Sequence, residues 1–193
     1  MKRTLIFATG NHHKVKEVKQ MLDESIEIAS MSEIGVTEDI PETSDTIEGN
    51  ALQKARYLVE KHKVNCFAED TGLEIEVLNG APGVHTARYG GEEKRTEDNI
   101  ARVLEELTGK MNRAAQFRTV IALILDGKEY TFEGICKGSI LRSERGYGGF
   151  GYDPIFQPMG YDKTFAELSS DVKNSISHRG IAMKKLIDFL KTL

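Results

Sequence analysis

Cysteine is scarce in this chain: Cys66 and Cys136 are its only two, far apart and outside any C-x-x-C pair. Both lie in apolar runs, so they read as buried free thiols of a protein kept in a reducing cytoplasm rather than as a disulfide. A basic excess is also missing. With 26 Lys and Arg against 30 Asp and Glu, the formal net charge is −4, which argues against a general nucleic-acid coat protein. A few local lysines can still hold a small anionic ligand. No long hydrophobic run occurs: after Met1-Lys2-Arg3 the apolar stretch ends at Ala8. That is too short for a signal peptide, and nothing later approaches a membrane span. The expectation is a soluble, cytoplasmic protein that binds neither nucleic acid nor membrane. Internal repeats, low-complexity tracts and linkers are absent as well, so residues 1–193 read as one domain or two tightly joined lobes.

What is there alternates between strand and helix patterns. Thr4 to Ala8 predict a buried strand, and Val15, Val18, Met21 and Leu22 predict a helix over Lys14 to Asp23. Ile26 to Ala29 complete an opening β-α-β unit, and Ser32 to Asp45 form a loop. Ile47, Ala51, Ala55 and Leu58 mark the next helix. Val64 to Ala68 predict a short strand ending at Glu69-Asp70-Thr71-Gly72, followed by a half-buried strand through Leu73, Ile75 and Val77. Asn79 to Gly91 predict a loop. Thr96 is placed to cap a helix with the stripe Ile100, Val103, Leu104 and Leu107. Phe117 to Leu125 and Lys128 to Cys136 flank Asp126-Gly127, a two-residue hairpin turn. A last helix, carrying Ala182, Leu186, Phe189 and Leu190, begins around Ser175 to Arg179. Crossovers mixed with hairpins predict an α/β fold with a mixed, twisted sheet flanked by helices.

Four polar clusters interrupt this pattern. Thr9-Gly10-Asn11-His12-His13-Lys14 sits between a strand and a helix, where backbone N–H groups, a flexible glycine and a lysine can cradle phosphate. It lacks the Walker A spacing, and an ordinary βα turn is the plain alternative. The adjacent His12 and His13 diverge at a helix start and make a poor metal pair. Glu69-Asp70-Thr71-Gly72 puts consecutive carboxylates at a strand end, where they need water, a cation or a donor. With Glu42 and Glu48 upstream, these hard oxygen donors suit Mg²⁺; solvated acidic loops are the alternative. Gly148 to Pro154, around Phe150, offers an aromatic face to stack on a base and an acceptor to read its edge, or else a tight turn with Phe150 in the core. Lys173 to Gly180 groups a lysine, a histidine and an arginine as phosphate and base donors, or a solvated basic helix start.

Taken together the clusters resemble the inosine triphosphate pyrophosphatase family, also called dITP/XTP pyrophosphatases. The resemblance rests on Ala8-Thr9-Gly10-Asn11 with Lys14 and Glu17, Glu48-Gly49-Asn50-Ala51 with Lys54-Ala55, Asp70-Thr71-Gly72-Leu73, and Gly80-Ala81-Pro82-Gly83. It continues through Ala87-Arg88-Tyr89-Gly90, Gly149 to Phe156, Lys163 to Leu168 and Ser177-His178-Arg179-Gly180, in the family's order along the whole chain. It implies a long twisted mixed sheet in two lobes with a central cleft, a homodimer, and Mg²⁺-dependent hydrolysis of ITP, dITP and XTP to monophosphate and pyrophosphate. Carried onto matching positions, Thr9, Gly10, Asn11, His12, His13 and Lys14 hold phosphates, with Lys54 and Lys173 as further cations. Asp70 is the general base and, with Glu42, the magnesium site. Thr71 touches substrate. Phe150, Gly151, Tyr152, Asp153, His178 and Arg179 hold the base. Glu69 departs from the aspartate of many relatives.

Selectivity has a physical account. Hypoxanthine and xanthine carry a 6-oxo acceptor and a protonated N1. A donor from Arg179 or His178 and an acceptor such as Asp153 match them and oppose both edges of adenine, and each unpaired buried polar group costs about 1–3 kcal/mol. Three rival readings are a Maf-type pyrimidine or modified-nucleotide pyrophosphatase, a nucleotide sensor that binds without cutting, and a protein-interaction module, for which the sequence offers no exposed apolar stripe.

Overall fold

A computed structural model describes residues 3–22 and 26–193. The opening unit forms as its pattern predicts: strand β1 (Arg3–Phe7), helix α1 (His12–Met21) and strand β2 (Ile26–Ser30), with β1 and β2 parallel in register from Arg3 opposite Ile26 to Phe7 opposite Ser30. The predicted helix end at Asp23 lies outside the described residues. Helix α2 (Ile47–His62) buries Ile47, Ala51, Ala55 and Leu58, the stripe read from the sequence, and starts where the Thr46 hydroxyl accepts the Gly49 N–H. Strand β3 (Cys66–Ile75) follows, then helix α3 (Thr96–Glu106) and the strands β4 (Ala114–Leu125) and β5 (Lys128–Ile140). A short β6 (Phe156–Pro158) pairs antiparallel with β5, and helices α4 (Ser170–Ile176) and α5 (His178–Leu190) close the chain. Among the described residues the strands form one mixed sheet in the order β2-β1-β3-β4-β5-β6, so the expected α/β fold with a mixed sheet and flanking helices is what the chain adopts. Both cysteines are free and buried, and no described helix is long and apolar enough to cross a membrane.

Two local expectations are corrected. Residues Glu69 to Gly72 do not end a strand: they lie inside the continuous β3, which carries their carboxylates within the sheet. Thr96 does not cap α3; Arg95 takes the extended cap conformation, and no side chain bonds the helix start. The final helix begins at His178, within the Ser175 to Arg179 start read from the sequence, and a separate short helix, α4, precedes it because Ser177 adopts an extended backbone between the two.

The chain divides into two compact units. The first comprises residues 1–70, 119–134 and 179–193, and the second residues 71–118 and 135–178. In the first, Leu5 and Phe7 of β1, Val18 of α1, Phe67 of β3, Ile121 and Leu123 of β4, and Ala182, Met183 and Leu186 of α5 make one apolar core, with Phe7 and Phe67 stacked at 4.5 Å. In the second, Leu73 and Ile75 of β3 pack with Ile100, Val103 and Leu107 of α3, Phe117 of β4, and Phe156 and Phe165.

The β4–β5 turn tests how much local chemistry matters here. Asp126 and Gly127 both hold positive φ, 51° and 78°, the conformation that suits the right-handed twist of a two-residue hairpin. Nothing lies within 4 Å of a Cβ built on Gly127, so Gly127→Ala carries only the left-handed penalty of roughly 1–2 kcal/mol. Urea unfolding should show that loss with an unchanged m-value; an equally stable variant would mean the turn does not set the hairpin.

Candidate active site

In the first unit the sequence places a turn, a helix and a strand so that their charges meet. Asn11 caps α1, its Oδ1 accepting the N–H groups of His13 (3.0 Å) and Lys14 (3.3 Å), while Thr9 Oγ1 accepts the Asn11 N–H (3.2 Å). A capped start of this kind fixes the direction of α1 and so aims Lys14. Gly10 has open space around it, and His12 and His13 are exposed. Lys14 Nζ reaches Glu69 Oε1 of β3 at 2.9 Å. The same carboxylate accepts two bonds from the Arg179 guanidinium, each 2.8 Å, and the third arm of Arg179 donates to Glu17 of α1 at 2.6 Å. Glu17 lies one turn beyond Lys14, so one face of α1 supplies both a cation and an anion to the network.

Glu69 and Arg179 are essentially inaccessible to solvent, with side chains 0% and 2% exposed. Burial alone pushes the Glu69 carboxyl up, but the charges of Arg179 and then Lys14 outweigh it and hold it well below the usual carboxylate range. For Arg179 burial acts to lower proton affinity, and Glu69 and Glu17 more than reverse it.

One residue further along β3 the balance is opposite. Asp70 is raised, chiefly because it is buried and further because Glu42 is a like charge; Lys54 and Lys14 oppose the rise. Lys54 Nζ lies 2.5 Å from Glu42 Oε1 and 3.2 Å from Asp70 Oδ1. Burial acts to discharge Lys54, but Asp70 and Glu42 keep it protonated. Asn50 of α2 donates from Nδ2 to Asp70 Oδ2 (3.4 Å) and accepts the Ser44 N–H (2.9 Å). Gln53 grips Thr43 in two bonds of 2.9 Å, and so the loop bearing Glu42 is fastened to α2 on both sides of that residue's neighbour. Asn50 and Lys54 sit at i and i+4, on one face of a helix. That spacing was the signal available in the sequence for Asn50, and Glu17 likewise stands at i+3 from Lys14.

The second unit holds the remaining candidates. Thr71, half-buried, continues β3. Phe150, Gly151, Tyr152 and Asp153 form a turn in which Asp153 Oδ2 accepts the Phe150 N–H (2.9 Å) and the Lys173 ammonium (2.6 Å). Gly149 has a φ of +70°, and a Cβ there would come within 2.0 Å of Asp153 Oδ2; only glycine lets the loop wrap this carboxylate. Lys173 is buried and lies 5.0 Å above the Phe150 ring. His178 is buried, stacked on Phe117 at a centroid distance of 4.6 Å.

The structure therefore brings Lys14, Lys54, Glu42 and Asp70 into one charged neighbourhood, and Phe150, Asp153 and Lys173 into another. Two expectations shift. Arg179, expected to donate to a base, has its guanidinium committed to Glu69 and Glu17. Lys173, expected among phosphate contacts, pairs with the carboxylate expected to read the base.

Buried ionisable groups with opposed proton affinities on adjacent residues of the sheet mark a candidate active site, and comparison with known proteins supplies its family. The model of the Ham1 family matches residues 5–189. The chain is 54% identical over 186 residues to a dITP/XTP pyrophosphatase of Flavobacterium johnsoniae, covering 96% of this chain and 97% of that protein. It is 47% identical to the dITP/XTP pyrophosphatase of Bacillus subtilis, covering 96% of each. Among solved structures, a Ham1 protein from Coxiella burnetii matches with a TM-score of 0.91 at 37% identity over 100% of both chains. The Staphylococcus aureus Ham1 protein matches at 0.89, also at 37% identity, over 98% of this chain and 99% of that one. The chain belongs to the Ham1 family.

Proposed function

We propose that this protein hydrolyses non-standard purine nucleoside triphosphates, ITP, dITP and XTP, to monophosphate and pyrophosphate. The observation that carries the reading is Asp70: a buried carboxylate of raised proton affinity, paired with Lys54, which also holds Glu42, and within the field of Lys14, in a chain whose relatives over nearly their full length are dITP/XTP pyrophosphatases. A carboxylate so placed is suited to take a proton from water, and the lysines are suited to a polyanion.

The donor set also fits Mg²⁺. Glu42 and Asp70 already converge on one positive charge, that of Lys54, and magnesium uses one or two carboxylates with phosphate oxygens and waters completing its shell. Among the described residues no three His, Cys, Asp or Glu side chains gather as a metal cage, so Glu42 and Asp70 are the residues that would hold it. Bound there, it would neutralise charge on the phosphate chain. Asp70 orients a water and accepts its proton as the oxygen attacks the α-phosphorus. The α–β phosphoanhydride bond breaks, and the negative charge of the departing pyrophosphate falls to Lys14 and Lys54.

Base selection belongs to the second unit. Asp153 is an acceptor suited to the N1–H of hypoxanthine or xanthine, held in place by the Phe150 N–H and charge-balanced by Lys173. Adenine, with an N1 acceptor, faces like against like, at a cost of about 1–3 kcal/mol for each unpaired buried group. The protein is further inferred to act as a homodimer in the cytoplasm, a reading supported by the family; sedimentation at the mass of one chain would overturn the dimer.

The deciding measurement is a panel of ITP, dITP, XTP, ATP, dUTP and modified pyrimidine triphosphates with Mg²⁺, identifying what is released. Pyrophosphate from the 6-oxo purines, with ATP slower by a hundredfold or so, is the expected result. Orthophosphate as product, equal turnover of ATP, or a preference for pyrimidines each defeats the proposal.

A further inference from the structure

The segment between β3 and α3 does more than connect them. Along the second half of β3 two N–H groups of the same parity, those of Leu73 and Ile75, need partners on one edge. Ile75 finds one in the Ala81 carbonyl at 3.1 Å, and Glu74 bridges antiparallel to Pro82. At Leu73 the rung is supplied by a side chain: Thr86 Oγ1 accepts the Leu73 N–H at 2.8 Å and donates to the Gly83 carbonyl at 2.6 Å. The carbonyl of the same Thr86 accepts the hydroxyl of Tyr152 at 2.7 Å. Tyr152 is buried and directly precedes Asp153.

The remainder of the segment is clamped from the other side. Asn99 of α3 accepts the Gly90 N–H (2.6 Å) and donates to the Ala87 carbonyl (3.0 Å). Arg102 stacks on Tyr89 at 4.3 Å and Glu106 accepts the Tyr89 hydroxyl. Gly90 leaves no slack, since a Cβ there would meet the Asp98 backbone at 2.3 Å. Thr86 thus sits in a clamped piece of chain with one bond to β3, at Leu73, and one to the loop carrying Phe150 and Asp153.

We propose that Thr86 is a positioning residue for nucleobase recognition: its hydroxyl and carbonyl together set the loop of Phe150 to Asp153 against β3. The proposal rests on the pyrophosphatase reading and deepens it. A loosened base loop weakens substrate and transition state alike, so KM should rise while kcat holds. A residue that only supports folding would instead lower the amount of active enzyme and leave KM in place.

Three variants test this. Tyr152→Phe removes the tether alone and should raise KM for dITP about three- to tenfold, the scale of one hydrogen bond, with kcat within about twofold. Thr86→Val removes the hydroxyl at nearly constant volume and should raise KM by about tenfold or more, whereas Thr86→Ser should stay close to the parent. The double variant Thr86→Val/Tyr152→Phe should raise KM by less than the product of the two single effects, as expected for one network. Amide hydrogen exchange without nucleotide gives a readout independent of turnover: the Leu73 N–H should exchange faster in Thr86→Val and not in Thr86→Ser. If the parent fails to release pyrophosphate from dITP, the functional reading falls while the exchange result still judges the network. An unchanged KM in Thr86→Val, a Thr86→Ser variant as impaired as Thr86→Val, fully multiplicative effects, or unchanged Leu73 exchange would each overturn the proposal.

Discussion

Replacing Asp70 by asparagine is expected to leave nucleotide binding largely intact and to lower turnover by a hundredfold or more, the scale of a lost general base. The substitution keeps the shape of the side chain and one acceptor oxygen in place of the two that serve Asn50 and Lys54. What it removes is an acceptor for the proton of water. The parent enzyme should carry the same signature in its pH dependence. Asp70 works only when unprotonated, and burial followed by the Glu42 charge raises it above its ordinary value of 3.8. In the metal-free protein the Asp70 carboxyl, followed by carboxyl NMR, should therefore titrate with a midpoint above that value. Measured by single-turnover hydrolysis of dITP with binding followed separately, near-normal turnover in Asp70→Asn would refute the assignment.

Replacing Arg179 by methionine is expected to destabilise the protein by up to about 3–5 kcal/mol, the effect of removing one partner of a buried ion pair, with the Lys14 ammonium still beside Glu69 to offset part of the loss. The guanidinium carries two bonds to Glu69 and one to Glu17, and Glu69 has no solvent to fall back on. Urea unfolding at neutral pH measures the loss, and pairing Arg179→Met with Glu69→Gln should recover part of it. The sign of the pH dependence follows from the same pair. Glu69 is depressed below its ordinary 4.5, so its contribution is complete above that pH and drains away as pH falls below it. Asp70, being raised, contributes in the other direction and favours the folded state as pH falls. A variant that folds normally and loses only its preference for 6-oxo purines would return Arg179 to the base-reading role read from the sequence.

The contrast between Asp70 and Arg179 shows where sequence reasoning reaches. Asp70 could be proposed from the sequence because a carboxylate beside Glu69, with a lysine-bearing helix upstream, suggests a chemistry within a short span, and the structure pairs it with Lys54 of that helix. Asn50 and Glu17 stand at helical spacings from Lys54 and Lys14 and were within reach of the same periodicity. Arg179 was assigned by its neighbours in the chain, His178 and Lys173, but its partners are Glu69, 110 residues away, and Glu17. Proximity in sequence does not record those partners, and Ser177 separates Lys173 in α4 from Arg179 in α5. The continuity of β3 was missed for a related reason: Glu69-Asp70-Thr71-Gly72 is a poor strand by composition, and cations from elsewhere in the chain offset the burial of its carboxylates.

By itself the amino-acid order determined the periodic elements, the Asp126-Gly127 hairpin, the free buried cysteines and the motifs that mark the family. Each of these is decided by neighbours a few bonds away, through side-chain periodicity, turn conformation or burial. The tertiary structure alone decided which charges neutralise one another: Arg179 with Glu69 and Glu17, Lys173 with Asp153, and a threonine hydroxyl completing the edge of β3. A buried ion or an unpaired N–H must find its partner wherever folding brings one, and nothing in the linear order records that distance.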